Sequence, residues 1–127
     1  MSIRVYYHDT DCGNVVYYAN YLKYMEQGRS ELMRELGISF AQFHEEGFRF
    51  VVTDVSIKYH ASAYYNDLLD METIVKELTP VTIIFSTVIR NERGTTLVTG
   101  DAKVACVNEE GKLKRMPREI VEKLKAD

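Results

Sequence analysis

The chain has 127 residues, 46% of them hydrophobic, and its 16 basic and 19 acidic side chains leave a formal net charge of −3. That length predicts a single domain over residues 1–127 with a sizeable core, and the weakly acidic balance speaks against nucleic acid as a partner. No apolar run approaches the roughly 20 residues of a membrane-spanning helix, and the N-terminus lacks a signal-peptide core, so a soluble chain with no membrane insertion is expected.

The two cysteines, Cys12 and Cys106, form no Cys-x-x-Cys pair, and neither they nor His8, His44 and His60 have zinc-ligand spacing. Reduced thiols in a cytoplasmic protein, with no metal, fit this pattern.

In chain order, Ile3 and Val5 alternate with Arg4 and Tyr6, which predicts a strand from Ser2 to Tyr7 running straight into a turn over Asp9 to Gly13. Tyr18, Tyr21, Leu22, Met25, Arg29, Leu32 and Leu36 then recur at three- and four-residue intervals, the period of a long helix. Gly37 is its stop. Tyr17, Tyr24 and Met33 lie off that stripe and leave a narrow polar strip around Lys23, Gln27, Ser30, Glu31 and Arg34. Gly28 inside the helix costs about 1 kcal/mol against alanine, which a close backbone approach would offset.

Ser39 suits the N-cap of a short helix ending at Glu46 and Gly47, with Phe40 and Phe43 inward and His44 at the surface. From Phe48 the texture changes to strands: Phe48 to Ala61, Leu68 to Leu78, Val81 to Arg90 and Thr95 to Val107. The first should carry one apolar face (Val51, Thr53, Val55, Ile57, Tyr59) and one mixed face. Thr79-Pro80, Asn91 to Gly94 and Asn108 to Gly111 have the residue types of hairpin turns. A basic tail from Lys112 to Asp127 closes with Ile120, Val121 and Leu124 at helical spacing. The element order is that of an α+β domain with its sheet on one side, compatible with an NTF2-like cone or another sandwich.

The chemistry concentrates between His8 and Glu26. Asp9 and Asp11 stand just before Gly13 and an aromatic-rich helical pattern. A helix start presents unpaired N–H groups and the positive end of a dipole worth about half an elementary charge. A carboxylate beside fixed donors is what hydrolysis of an activated carbonyl requires, so acyl transfer is the leading reading.

The eighteen positions from Asp9 to Glu26, Asp-Thr-Asp-Cys-Gly-Asn-Val-Val-Tyr-Tyr-Ala-Asn-Tyr-Leu-Lys-Tyr-Met-Glu, resemble the signature of the hotdog-fold acyl-CoA thioesterases. More narrowly they are similar to the YbgC-type branch of the 4-hydroxybenzoyl-CoA thioesterase family. The resemblance implies a five-stranded antiparallel sheet wrapped around one long central helix, with protomers pairing sheet edge to sheet edge into dimers, or tetramers made of dimers. It also places active sites at the dimer interface. The implied reaction is hydrolysis of a short-chain or aromatic acyl-CoA to free acid and CoA, with coenzyme A part of the substrate and no bound cofactor.

Carried over residue by residue, the resemblance puts Asp11 at the catalytic aspartate, as nucleophile or as general base for water. Tyr18 falls at the position, tyrosine or histidine in the family, whose backbone N–H polarises the thioester carbonyl. Asn20, Tyr21 and Glu26 also match, and Glu26 is either a second carboxylate for the pocket or an exposed helix residue. Gly13 permits a tight turn or a close substrate approach. Two residues from Asp11 along an extended segment, Asp9 would point to the same side, raising a pKa by like charge or holding the loop as an acceptor. In the Tyr59 to Asp67 loop, Ala63 and Asp67 fit the family and Ser62 replaces its proline.

Coenzyme A needs cations for its phosphates, and the available clusters are Arg90 and Arg93 at one turn and Lys112, Lys114 and Arg115 after another. Cys12 as a thiol nucleophile has no histidine at a specific spacing, and a small buried cysteine is its default. A non-catalytic acyl-CoA-binding or protein-interaction module on the same fold is the alternative. A hydratase would need a histidine in its helix motif.

Overall fold

The computed structural model describes residues 1–125. Strands β1 (Ser2–Arg4), β2 (Arg49–Tyr59), β3 (Leu68–Leu78), β4 (Thr82–Arg90) and β5 (Thr96–Val107) form one antiparallel sheet in the order β1-β3-β4-β5-β2. With them stand helices α1 (Asn20–Glu35), α2 (Phe40–Glu45) and α3 (Arg118–Lys125). The tail helix is therefore α3; residues 126–127 of the expected tail lie outside the described residues.

The sheet is built by its turns. Thr79 Oγ1 accepts the N–H groups of Val81 at 3.3 Å and Thr82 at 2.9 Å and so closes the β3–β4 hairpin. Asn91 Oδ1 does the same for Arg93 and Thr95, each at 3.0 Å, between β4 and β5. The Asn108 to Gly111 turn joins no further long strand: it folds Leu113 back onto Val107 through a single bridge. Along β4, Ile83, Phe85, Thr87 and Ile89 alternate into the interior, as a half-buried strand should.

α1 lies across the sheet face. A Cβ on Gly28 would meet Thr73 Oγ1 of β3 at 2.5 Å, while a Cβ on Gly100 of β5 would meet Met25 Cε at 2.9 Å. Two glycines thus let helix and sheet approach where side chains would hold them apart, and the close approach expected at Gly28 is present. Gly37, with φ +74°, ends α1, and Ile38 N–H reaches back to Met33 O at 2.9 Å in a Schellman closure. Ser39 Oγ accepts Gln42 N–H at 3.4 Å and starts α2, which buries Phe43.

Three expectations need correction. The buried face of α1 is Tyr21, Tyr24, Met25, Gly28 and Met33, whereas Leu22 and Tyr18 are exposed. The helix is rotated so that its off-stripe aromatic points inward and Leu22 flanks a groove beside Val52 and Val55. The apolar face expected on β2 is not a buried one: the strand lies at the sheet edge, paired with β5 and with a register shift between Val52 and Asp54. Lacking a partner on its other side, it leaves Val51, Val52, Val55 and Tyr59 exposed. The first strand stops at Arg4, because Val5 N–H turns to Asp67 O at 2.9 Å and Tyr7–Asp9 forms a 3-10 turn.

Five antiparallel strands around one long helix make this an α+β hotdog fold.

Candidate active site

That 3-10 turn separates the two aspartates. Asp9 is 5% exposed, and its Oδ2 accepts Tyr6 N–H at 3.0 Å. His8 Nε2 stands 3.5 Å from its Oδ1. Asp9 therefore holds the loop from inside, and it does not share a side with Asp11 as an extended segment would require. Asp11 is exposed, and its Oδ1 accepts Gly13 N–H at 2.9 Å. This bond closes the turn at Gly13, and Asn14 follows with φ +61°. Beyond it, Thr10 pairs with Val16 and Val15 with Tyr64, so the loop is a small hairpin stitched to the Ala61–Asp67 segment. Asp67 Oδ2 accepts Tyr64 N–H at 2.9 Å, and Ala63 is fully buried with its carbonyl accepting Val16 N–H at 2.9 Å.

The start of α1 lies alongside. Asp9 O accepts both Tyr17 N–H at 2.9 Å and Asn20 Nδ2 at 2.7 Å. Ala19, at the N-cap, offers no side-chain acceptor. Among the described residues the amides of Tyr18 and Ala19 donate to no acceptor. Loop carboxylate and free helix-start amides are thereby set on two segments joined at one carbonyl oxygen.

Aromatic rings surround this corner. The Tyr18 ring, 62% exposed, stands edge-on to Tyr59 at 6.4 Å between centroids, and Tyr59 OH donates to Tyr18 O at 3.3 Å. Tyr21 is buried, and its hydroxyl accepts Ala63 N–H at 3.3 Å; burial pushes its phenol above the ordinary value. Tyr24 OH is buried without a hydrogen-bond partner among the described residues, in the field of the Asp9 carboxylate. Burial first, then that charge, drives its phenol well above the usual range.

A family profile described as the thioesterase superfamily matches residues 13–98. The acyl-CoA thioesterase YbgC of Haemophilus influenzae is 41% identical over 124 residues, covering 93% of this chain and 88% of that protein. The acyl-CoA thioester hydrolase YbgC of Escherichia coli O6:H1 is 33% identical over 125 residues, covering 98% and 91%. A crystal structure of a DHNA-CoA thioesterase from Staphylococcus aureus superposes with a TM-score of 0.94 at 26% identity, covering 99% of this chain and 87% of that one. The chain belongs to the thioesterase superfamily.

Within this thioesterase fold the two basic clusters are far apart. Arg90 and Arg93 sit at the β4–β5 turn, at the sheet end where Leu97 O accepts His60 N–H and the Ala61–Asp67 segment meets the Asp11 loop. Lys112, Lys114 and Arg115 follow β5 at its opposite end, on the order of 35 Å away along a twelve-residue strand. Lys114 Nζ is already placed 3.9 Å over the Phe48 ring. The structure brings Arg90 and Arg93 to the end of the sheet that holds Asp11 and does not bring the other three.

Glu26 is exposed on the ridge between two grooves beside α1. One, about 660 Å³, is lined by Arg4, Asp9 and Tyr24; the other, about 510 Å³, by Leu22, Phe50 and Val55. Arg29 lines the second, its guanidinium lowered from its ordinary value by burial and partly restored by Glu26. Cys12 is exposed, against its expected burial, because it occupies the tip of the Asp11 turn. Among the described residues no three of His, Cys, Asp and Glu are grouped to hold a metal ion, and no helix is long and apolar enough to cross a membrane.

Tyr59 is a site neighbour that no motif marks. Its sequence signal is its place: the last residue on the face of β2 shared with Ile57, which packs against the core cluster containing Tyr21.

Proposed function

We propose that this chain hydrolyses acyl-CoA thioesters, of a short-chain or aromatic acyl group, to the free acid and CoA. The observation that carries the reading is the pair of unpartnered amides at Tyr18 and Ala19, braced to the loop that exposes the Asp11 carboxylate. Fixed N–H donors on a water-excluded carbonyl stabilise the oxyanion of a tetrahedral intermediate, and losing one costs about 3 kcal/mol of transition-state stabilisation. Asp11 either takes a proton from water as it attacks or attacks the carbonyl itself to give a mixed anhydride that water opens. In both courses the C–S bond breaks with the electron pair on sulfur. A thiolate is a good leaving group, so no strong general acid is required, and no metal or bound cofactor is needed.

Gly13 keeps the turn tight around Asp11, Tyr21 ties the helix to Ala63, and Glu26 offers a further carboxylate at the groove edge. Arg90 and Arg93 are the cations suited to the CoA phosphates, since they share the sheet end with Asp11. The unpaired β2 edge, with its exposed valines, suits pairing with a second copy into a dimer. The relatives' names agree with this activity, and the thiol inventory suits a cytoplasmic setting.

The test is thiol release from a panel of short-chain, long-chain and hydroxybenzoyl-CoA thioesters, with Tyr18→Phe alongside. Turnover of one class, with the phenylalanine variant within about threefold because the amide and not the phenol acts, supports the reading. Tight binding of the panel with no thiol released would replace it with a binding module.

A further inference from the structure

Asn20 is the first residue of α1, one position past the N-cap. Asparagine is a good helix cap and a poor interior residue, because its carbonyl competes for backbone N–H groups. Here its amide nitrogen instead donates outward to Asp9 O at 2.7 Å, the oxygen that also accepts Tyr17 N–H at 2.9 Å. Asn20 N–H in turn donates to Tyr17 O at 2.9 Å. These three bonds form a closed frame whose enclosed residues are Tyr18 and Ala19, the two with free amides. Asp9 is itself immobilised, with its buried carboxylate on Tyr6 N–H at 3.0 Å, and Asp11 stands two residues beyond it.

We propose that Asn20 is a positioning residue whose side-chain amide locks the helix-start donors at Tyr18 in register with the Asp11 carboxylate. The proposal rests on the hydrolase reading above. Its physical basis is that Asp9 O is the one acceptor common to both segments, and Asn20 Nδ2 is the only side-chain donor on it among the described residues. Without that bond the loop keeps its turn through Asp11 and Gly13, and α1 keeps its packing through Tyr21 and Met25. Tyr17 N–H then holds the two segments together alone at Asp9 O, the spacing between them loosens, and a displacement of about 1 Å at a reacting centre is worth on the order of a hundredfold in rate.

Three variants test this against the acyl-CoA that the wild type turns over best. Asn20→Asp presents a carboxylate to a carbonyl, Asn20→Ala removes the donor, and Asn20→Gln retains it one methylene further out. The expected result is a native melting transition for all three, kcat lowered about 10- to 100-fold in Asp and Ala with KM within about threefold, and partial recovery in Gln. Wild-type kcat in Asn20→Ala, a loss confined to KM, or a glutamine variant no better than alanine would overturn the positioning role. A wild type that releases no thiol from any thioester would instead defeat the hydrolase reading itself, so the two failures are distinct. Should Asn20→Asp not fold, the Ala and Gln pair decides the matter alone.

Discussion

Gly28 on α1 and Thr73 on β3 meet so closely that a Cβ on the glycine would stand 2.5 Å from the threonine Oγ1. Met71 Cε and Sδ would lie at 3.2 and 3.3 Å, but a thioether chain can yield, whereas Thr73 is held by Thr87 Oγ1 at 3.3 Å. Alanine at Gly28 gains about 1 kcal/mol of helix propensity and loses about 1–3 kcal/mol to overpacking. Gly28→Ala is therefore expected to lower stability in urea unfolding, and Thr73→Ala in the same chain to recover part of the loss. A Gly28→Ala variant more stable than wild type would show that the helix can lift off β3 freely.

On the sheet face away from α1, Lys76 Nζ donates to Asp101 Oδ2 at 2.8 Å. Lys76 lowers the Asp101 carboxyl below its ordinary value, with Ser86 assisting, and Asp101 raises the Lys76 ammonium. A depressed carboxyl stabilises the fold above its unfolded pKa and loses that effect as pH falls through the folded one. A raised ammonium stabilises below its unfolded pKa and loses the effect as pH rises through the folded one. The pair thus acts between about pH 4 and pH 10. Asp101→Asn should melt slightly below wild type at pH 7, and the gap should narrow as pH falls below about 4 and shrink in 1 M salt. A gap as wide at pH 3 as at pH 7 would assign the effect to packing.

The two thiols differ in access. Cys12 is exposed at the turn tip, while Cys106 is fully buried in β5 and its thiol is pushed up by that burial, with Lys114 opposing. A disulfide reagent at neutral pH should modify one thiol promptly in the native protein and the second only on unfolding. Equal rates would mean that β5 opens locally.

Strand β2 carries the oligomer prediction. Val52 is 48% exposed on an edge whose outer backbone groups have no partner among the described residues. Val52→Lys places a charge where a second sheet would pair, so sedimentation should shift toward the monomer with unchanged circular dichroism. An unaltered sedimentation coefficient would move the interface elsewhere.

Local chemistry explains which elements were legible in the sequence. The alternation of β4, the Ser39 cap, the Gly37 stop and the Asn91 turn each depend on neighbours within a few residues, and each appears where its pattern lies. The position of β2 depends on pairing with β5 about 40 to 60 residues on, which periodicity cannot encode. The rotation of α1 is set by Gly28 and Gly100, whose partners Thr73 and Met25 are also far away in the chain. At the candidate site the motif marks Asp11 and Tyr18 by spacing. The 3-10 turn that buries Asp9 arises instead from one side-chain bond to Tyr6 N–H, and a local β pattern hides it.

The most direct measurement is single-turnover thiol release by Asp11→Asn beside wild type, at matched folding and oligomeric state, with the best thioester of the panel. Removing the carboxylate should cut the rate by on the order of a hundredfold or more while the variant still binds the thioester. Thiol release within about threefold of wild type would contradict the central claim and take Asp11 out of the chemistry.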